Sequence, residues 1–139
     1  NLSHAKQLSK LGIKNMGLYQ WWYSDRHKKW YILNKNQVIP KSSRPAYPAF
    51  LATELGEILP DLLETDRQYE LVCIKEDDCW LTRYVAGNDM KNFLFAKAGI
   101  TEAESRVLML IYLLKNKKIT VKWANKRIEH NQKPIFANQ

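Results

Sequence analysis

Glycine is scarce in this chain and widely scattered, with five in 139 residues. No Gly-rich loop can be drawn to cradle a phosphate. Cysteine is scarcer. Cys73 and Cys79 are too few for a disulfide scaffold and form no CxxC redox or zinc pattern. Their spacing would let them face each other across a hairpin. Leu2 to Leu11 mixes charged and apolar residues and shows no export signal, although the chain opens on Asn1 without a Met. Reduced thiols in a cytoplasm are the expected state. The longest apolar run, Val107 to Leu114, is far too short to span a bilayer, so no membrane partner is expected. Internal repeats and low-complexity tracts are missing.

Catalytic patterns are lacking too. His4, His27 and His130 lie far apart and carry no HExxH or HxE signature. Ser24, Asp25 and His27 supply triad residue types, but neighbours on one tight turn do not reach triad geometry. A metal nuclease of the restriction type needs a Pro-Asp followed by a carboxylate and a Lys two residues apart. Pro60-Asp61 is present, whereas Glu70-Leu71-Val72 lacks the Lys. Glu76-Asp77-Asp78 falls on a turn, where carboxylates face water, and lacks the alternating ligands and glycine of a calcium loop. No catalytic residue, metal ligand or cofactor is therefore expected.

What the chain does have is a globular composition, 45% hydrophobic and 26% charged, over a length suited to one domain spanning residues 1–139, with 130–139 as a loose tail. Its net charge of +8 is unevenly spread. Residues 1–50 hold nine Lys and Arg against Asp25 alone, 51–114 hold six basic and twelve acidic residues, and 115–139 hold seven basic residues against Glu129 alone. Segregated charge either gives a directional field that attracts polyanions or cancels locally when the basic ends fold on the acidic middle.

Periodicity sets out the elements. Ser3 is placed to cap a short helix carrying Leu8 and Leu11 and ended by Gly12. Leu18–Tyr23 and Lys29–Leu33 alternate as two strands around the polar tip 24–29, with a turn over Asn34–Gln37. Val38–Pro48, with Pro40, Pro45 and Pro48, predicts an extended connector, because proline cannot donate to a ladder. Leu51, Leu55, Ile58 and Leu62 share one helical face, and Pro60 should stop that helix at Leu59, leaving Leu62 and Leu63 in a cap or turn. Strands are expected over Tyr69–Ile74 and Cys79–Val85, and a short one over Phe93–Ala96. Thr101 with Glu104 makes a capping box for a helix so apolar that it should be the central buried element. A strand over Ile119–Trp123 and a short helix over Ala124–Ile128 would follow. The fold class is thus α+β. A small antiparallel sheet with an aromatic-rich N-terminal hairpin packs on a buried C-terminal helix and one or two shorter helices.

The hairpin reads QWWYSDRHKKWYILN from residue 20. Tyr19, Trp21 and Tyr23 point one way and Trp22 the other, so large rings occupy both faces. One set can enter the core. The other needs a cover or a partner. Rings beside cations suit single-stranded nucleic acid, where bases stack and phosphates meet Lys and Arg. They also suit a protein partner, since Trp, Tyr and Arg dominate interface anchors. Packing alone is the alternative use of such rings. The candidate contact residues are Trp21, Trp22, Arg26, Lys28, Lys29 and Trp30, with Trp80 and Trp123 as candidate extensions. A second basic group, Lys122, Lys126 and Arg127, together with Lys115, Lys117, Lys118 and Lys133, is either an extension of that site or a solvated face.

Three further features, Leu8-Ser9-Lys10-Leu11-Gly12-Ile13, then Tyr47-Pro48-Ala49-Phe50 with Glu54-Leu55 and Ile58-Leu59-Pro60, and the late acid-capped helix, together resemble small proteins encoded by bacterial prophages. The aromatic, basic hairpin and basic C-terminus depart from that pattern. The resemblance assigns no residue a role. It implies an accessory protein of the kind that sometimes inhibits host defences, CRISPR effectors among them. The leading expectation is a non-enzymatic phage-type accessory protein that binds a bacterial protein or ribonucleoprotein, such as an RNA-guided nuclease, and inhibits it by competition. The alternatives are a module binding RNA or single-stranded DNA directly, and a structural phage component.

Overall fold

The structure, a computed structural model, describes residues 1–14, 19–34, 43–64, 68–87 and 89–131. In chain order the elements are α1 (Leu2–Lys10), β1 (Tyr19–Ser24), β2 (Lys29–Asn34), β3 (Ser43–Ala49), α2 (Ala52–Ile58), β4 (Leu62–Glu64), β5 (Gln68–Glu76), β6 (Cys79–Ala86), β7 (Asp89–Gly99), α3 (Glu102–Lys115) and α4 (Val121–Asn131). The fold is α+β, and among the described residues the strands form two antiparallel sheets rather than one. The first has the order β2-β1-β3 and the second β4-β5-β6-β7.

α3 runs through the middle. Met109, Leu110, Ile111, Leu113 and Leu114 are buried, and they join Leu8, Leu55, Ile58, Leu59, Tyr84, Ala124 and Ile128 in one core. Its N-terminus is fixed by two bonds. The Thr101 hydroxyl accepts the Glu104 N–H at 3.1 Å, and the Glu104 carboxylate accepts the Ile100 N–H at 3.2 Å. Arg106 ties α3 to α2. Its guanidinium donates to the Ala52 carbonyl at 3.2 Å and pairs with Glu102 at 2.6 Å. Against the second sheet, the Thr82 and Ser105 hydroxyls meet at 2.8 Å in the buried interface. A bulge at Phe95, whose φ is +51°, brings its ring to 4.9 Å from that of Tyr112. Tyr84 is sealed in the core, where its hydroxyl donates to the Pro60 carbonyl at 2.8 Å. Burial, with Asp61 adding to it, pushes the pKa of this phenol well above the usual tyrosine range.

Several local expectations change. Asn1, not Ser3, caps α1, its side chain accepting the Ser3 N–H at 2.8 Å. Gly12, at φ +99°, ends the helix as expected, and Ile13 N–H closes back on the Leu8 carbonyl at 3.0 Å. The described part of the proline connector is strand β3. It pairs with β1 at the sheet edge, where prolines are tolerated. Leu62 and Leu63 extend into β4 instead of a turn, and the strand expected over Phe93–Ala96 is the eleven-residue β7. Ile119–Trp123 does not form a strand. Thr120 opens α4 instead, with its hydroxyl accepting the Trp123 N–H at 3.0 Å and its carbonyl the Ala124 N–H at 3.1 Å. α4 continues through Asn131, and the remainder of the expected tail, with Lys133, lies outside the described residues. Residues 15–18 and 35–42, on which parts of the first strand, the second turn and the connector were expected, also lie outside them. Cys73 pairs with Thr82 and Cys79 with Glu76, so the two thiols are not opposite each other, and both are free.

Candidate functional site

The hairpin register explains how the first sheet distributes its rings. Trp21 pairs with Ile32 and Tyr47, and Tyr23 with Trp30, so these side chains share one face. There the Trp30 ring lies 5.0 Å from Tyr23 and 5.5 Å from Tyr47. Lys6 of α1 reaches over the cluster, its Nζ 5.6 Å from the Trp30 centroid and 6.0 Å from that of Tyr47. Trp22 pairs with Tyr31, and Ser24 with Lys29, so these four residues belong to the opposite face. Trp21, Trp22, Tyr23 and Trp30 are half-buried, and Tyr31 is 38% exposed. The Trp22 indole N–H is buried and meets no acceptor among the described residues.

Ser24 organises the tip. Its buried hydroxyl accepts the His27 N–H at 3.2 Å, and its carbonyl accepts the Lys28 N–H at 2.8 Å. The turn places Lys28 in the left-handed region at φ +54°. Arg26, His27 and Lys28 are exposed on this hydrogen-bonded turn, and Lys29 is exposed at the start of β2. By register Lys29 shares a face with Tyr31 and Trp22, with Arg26 and Lys28 on the adjoining turn, whereas Trp21 and Trp30 belong to the other face.

The second basic group divides. Lys122 and Lys126 are exposed on α4. Arg127 is built into the fold. It donates twice to the Glu57 carbonyl, at 2.9 and 2.6 Å, and its guanidinium lies 5.3 Å from the Trp123 centroid. α4 packs on α2 and is held to the end of α1 by the Lys14–Glu129 ion pair and by Asn125, which accepts the Lys14 N–H and donates to the Gly12 carbonyl. Trp123 packs against the core and Trp80 lies on β6, so neither belongs to the hairpin sheet.

A second feature was not legible beforehand. A cavity of about 430 Å³ opens between the Trp21 face of the first sheet, α1, α2 and the start of α3. Tyr19, Trp21, Phe50, Leu55 and Val107 supply apolar walls, and His4, Thr101 and Glu104 supply polar groups. Ile32 at 50% exposure and Leu51 at 42% also line it and mark where it opens to solvent.

Among the described residues no cluster of His, Cys, Asp or Glu is arranged to hold a metal ion, and no helix is long and apolar enough to cross a membrane. Comparison of the chain with protein-family models, curated proteins and solved structures found no match.

Proposed function

We propose that this chain is a non-enzymatic accessory protein of phage type that binds a bacterial ribonucleoprotein, in its specific form an RNA-guided nuclease, through the tip and Trp22 face of the β1–β2 hairpin. The observation that carries the reading is the hydrogen-bonded hairpin tip exposing Arg26, His27, Lys28 and Lys29 beside an exposed Tyr31. Cations on a fixed turn meet phosphates without first ordering a loop, which removes part of the entropic cost of binding. A neighbouring phenol or indole face accepts an unstacked base, worth about 1–3 kcal/mol per base. Inhibition then follows from occupancy, because the surface held by the hairpin is denied to the nuclease's own target.

Direct binding of naked single-stranded RNA is the second reading, favoured by the same ring-and-cation pairing, with Lys122 and Lys126 as further phosphate contacts. Fluorescence anisotropy and pull-down from bacterial lysate separate the two. Capture of a ribonucleoprotein together with weak binding to naked RNA supports the first. Tight binding to naked oligonucleotides supports the second. Recovery of self-associated protein alone defeats both in favour of a structural role. The double variant Lys28→Glu/Lys29→Glu should abolish capture under either binding reading.

A further inference from the structure

We propose that the cavity between the first sheet and the start of α3 binds a small organic amine, with its apolar body among Trp21, Phe50, Leu55 and Val107 and its ammonium group at Glu104. The site is distinct from the exposed hairpin tip, so the hairpin reading stands or falls independently of it.

Size is the first support. About 430 Å³ lies within the range of small-molecule sites, roughly 300–1,000 Å³, and the mixture of apolar walls with a few polar groups is their usual composition. Charge is the second. α3 begins with two glutamates, Glu102 and Glu104. Glu102 is neutralised by Arg106 at 2.6 Å. Glu104 lines the cavity and meets no cation among the described residues, although the chain carries a net charge of +8. Its carboxylate is nonetheless held in place by the Ile100 N–H at 3.2 Å, which leaves acceptor capacity for a ligand N–H. A preorganised, unneutralised carboxylate beside aromatic rings is the arrangement that captures an organic cation, through a charge-assisted hydrogen bond and the quadrupoles of Tyr19, Trp21 and Phe50. His4 is the third support. It lines the cavity, and its Nδ1 is buried with no hydrogen-bond partner among the described residues. An acceptor nitrogen of this imidazole is available to a second ligand N–H, which would satisfy the buried group.

Three probes with one body and different charges test this on the full chain: phenethylamine, 2-phenylethanol and 3-phenylpropionate, followed by isothermal calorimetry and amide-shift mapping. The amine is expected to bind about tenfold more tightly than the alcohol, with the propionate weakest and the shifts centred on Trp21, Phe50 and Val107. Glu104→Gln, which keeps an acceptor for Ile100, should cost the amine about tenfold and leave the alcohol unchanged. Val107→Phe, which fills the cavity, should remove binding of all three. Equal affinity for amine and alcohol, preference for the propionate, shifts mapping elsewhere, or no binding of any probe to the wild-type chain would each overturn the proposal. The wild-type comparison decides the matter even where a variant folds poorly.

Discussion

Gly99 lies so close to the start of α3 that a Cβ placed on it would sit 2.5 Å from the backbone nitrogen of Ser105 and 2.9 Å from the Glu104 carbonyl carbon. Both obstacles are backbone atoms, so no side-chain rotation makes room. Gly99→Ala must separate the end of β7 from the helix. It is expected to cost about 1–3 kcal/mol, read as a lower urea midpoint with an unchanged slope. Because Thr101, Ala103 and Glu104 line the cavity, the same variant should weaken amine binding, whereas Gly87→Ala, with nothing near its Cβ, should not.

Lys28 sets stability against binding. A lysine at φ +54° carries left-handed strain that glycine does not. Lys28→Gly should therefore raise stability, by roughly 0.5–1 kcal/mol, while weakening partner binding. The salt dependence of any RNA binding should fall as well. Every phosphate left unneutralised takes about 0.7 off the slope of log K against log salt for a single strand. A Lys28→Gly protein that is both more stable and equally tight would separate the turn from the binding surface.

Arg127 and Lys126 stand next to each other in sequence and should behave oppositely. Arg127→Ala removes two bonds to the Glu57 carbonyl and the packing on Trp123, and should lower thermal stability by about 1–3 kcal/mol. Lys126→Ala should leave stability within about 0.5 kcal/mol of wild type. Thermal denaturation of the two variants measures the difference directly.

Tyr84 predicts an alkaline weakness. Burial and Asp61 raise its folded-state pKa, so the native state keeps a proton that the unfolded chain begins to release near the ordinary tyrosine value of about 10. The favourable contribution is fully present below that value and is lost as pH rises from it towards the folded-state value. Tyr84→Phe should be less stable at neutral pH by about 1 kcal/mol, through loss of the bond to Pro60, yet lose less stability per pH unit above about pH 10. Urea midpoints measured across the alkaline range test both halves.

How far the sequence foretold this molecule depended on the range of the forces involved. The hairpin and α3 were legible because their signals are local: alternating rings around a polar tip, and Thr101 with Glu104 ahead of an apolar run. α4 was misread because Ile119, Thr120 and Val121 are β-branched, although Thr120 as a cap and the helical spacing of Val121, Ala124 and Ile128 were available. β3 was missed because its prolines argue against a ladder, and only its place at the sheet edge makes them acceptable. The cavity left no local trace. His4 and Glu104 look like ordinary helical positions until folding brings α1 and α3 to the same sheet. Of the rings in the first sheet, Trp30 and Tyr47 have Lys6 of α1 reaching over them, while Tyr31 stays open.

In the first sheet, β3 pairs its Tyr47 with Trp21 and its Pro45 with Trp22, so Ala46 is an extra residue in the ladder. Without that insertion Pro45 and Pro48 would fall out of phase. With it, they stand opposite Trp22 and Gln20, and both imino nitrogens can turn outward from β1. The outer flank of β3 has thereby lost two of the donors an incoming strand would need, while β2 keeps every amide on its flank. On this count an added strand, from a partner or a second copy, would find more donors on β2 than on β3, and the lysine at the head of β2 is the charge that it would have to pass.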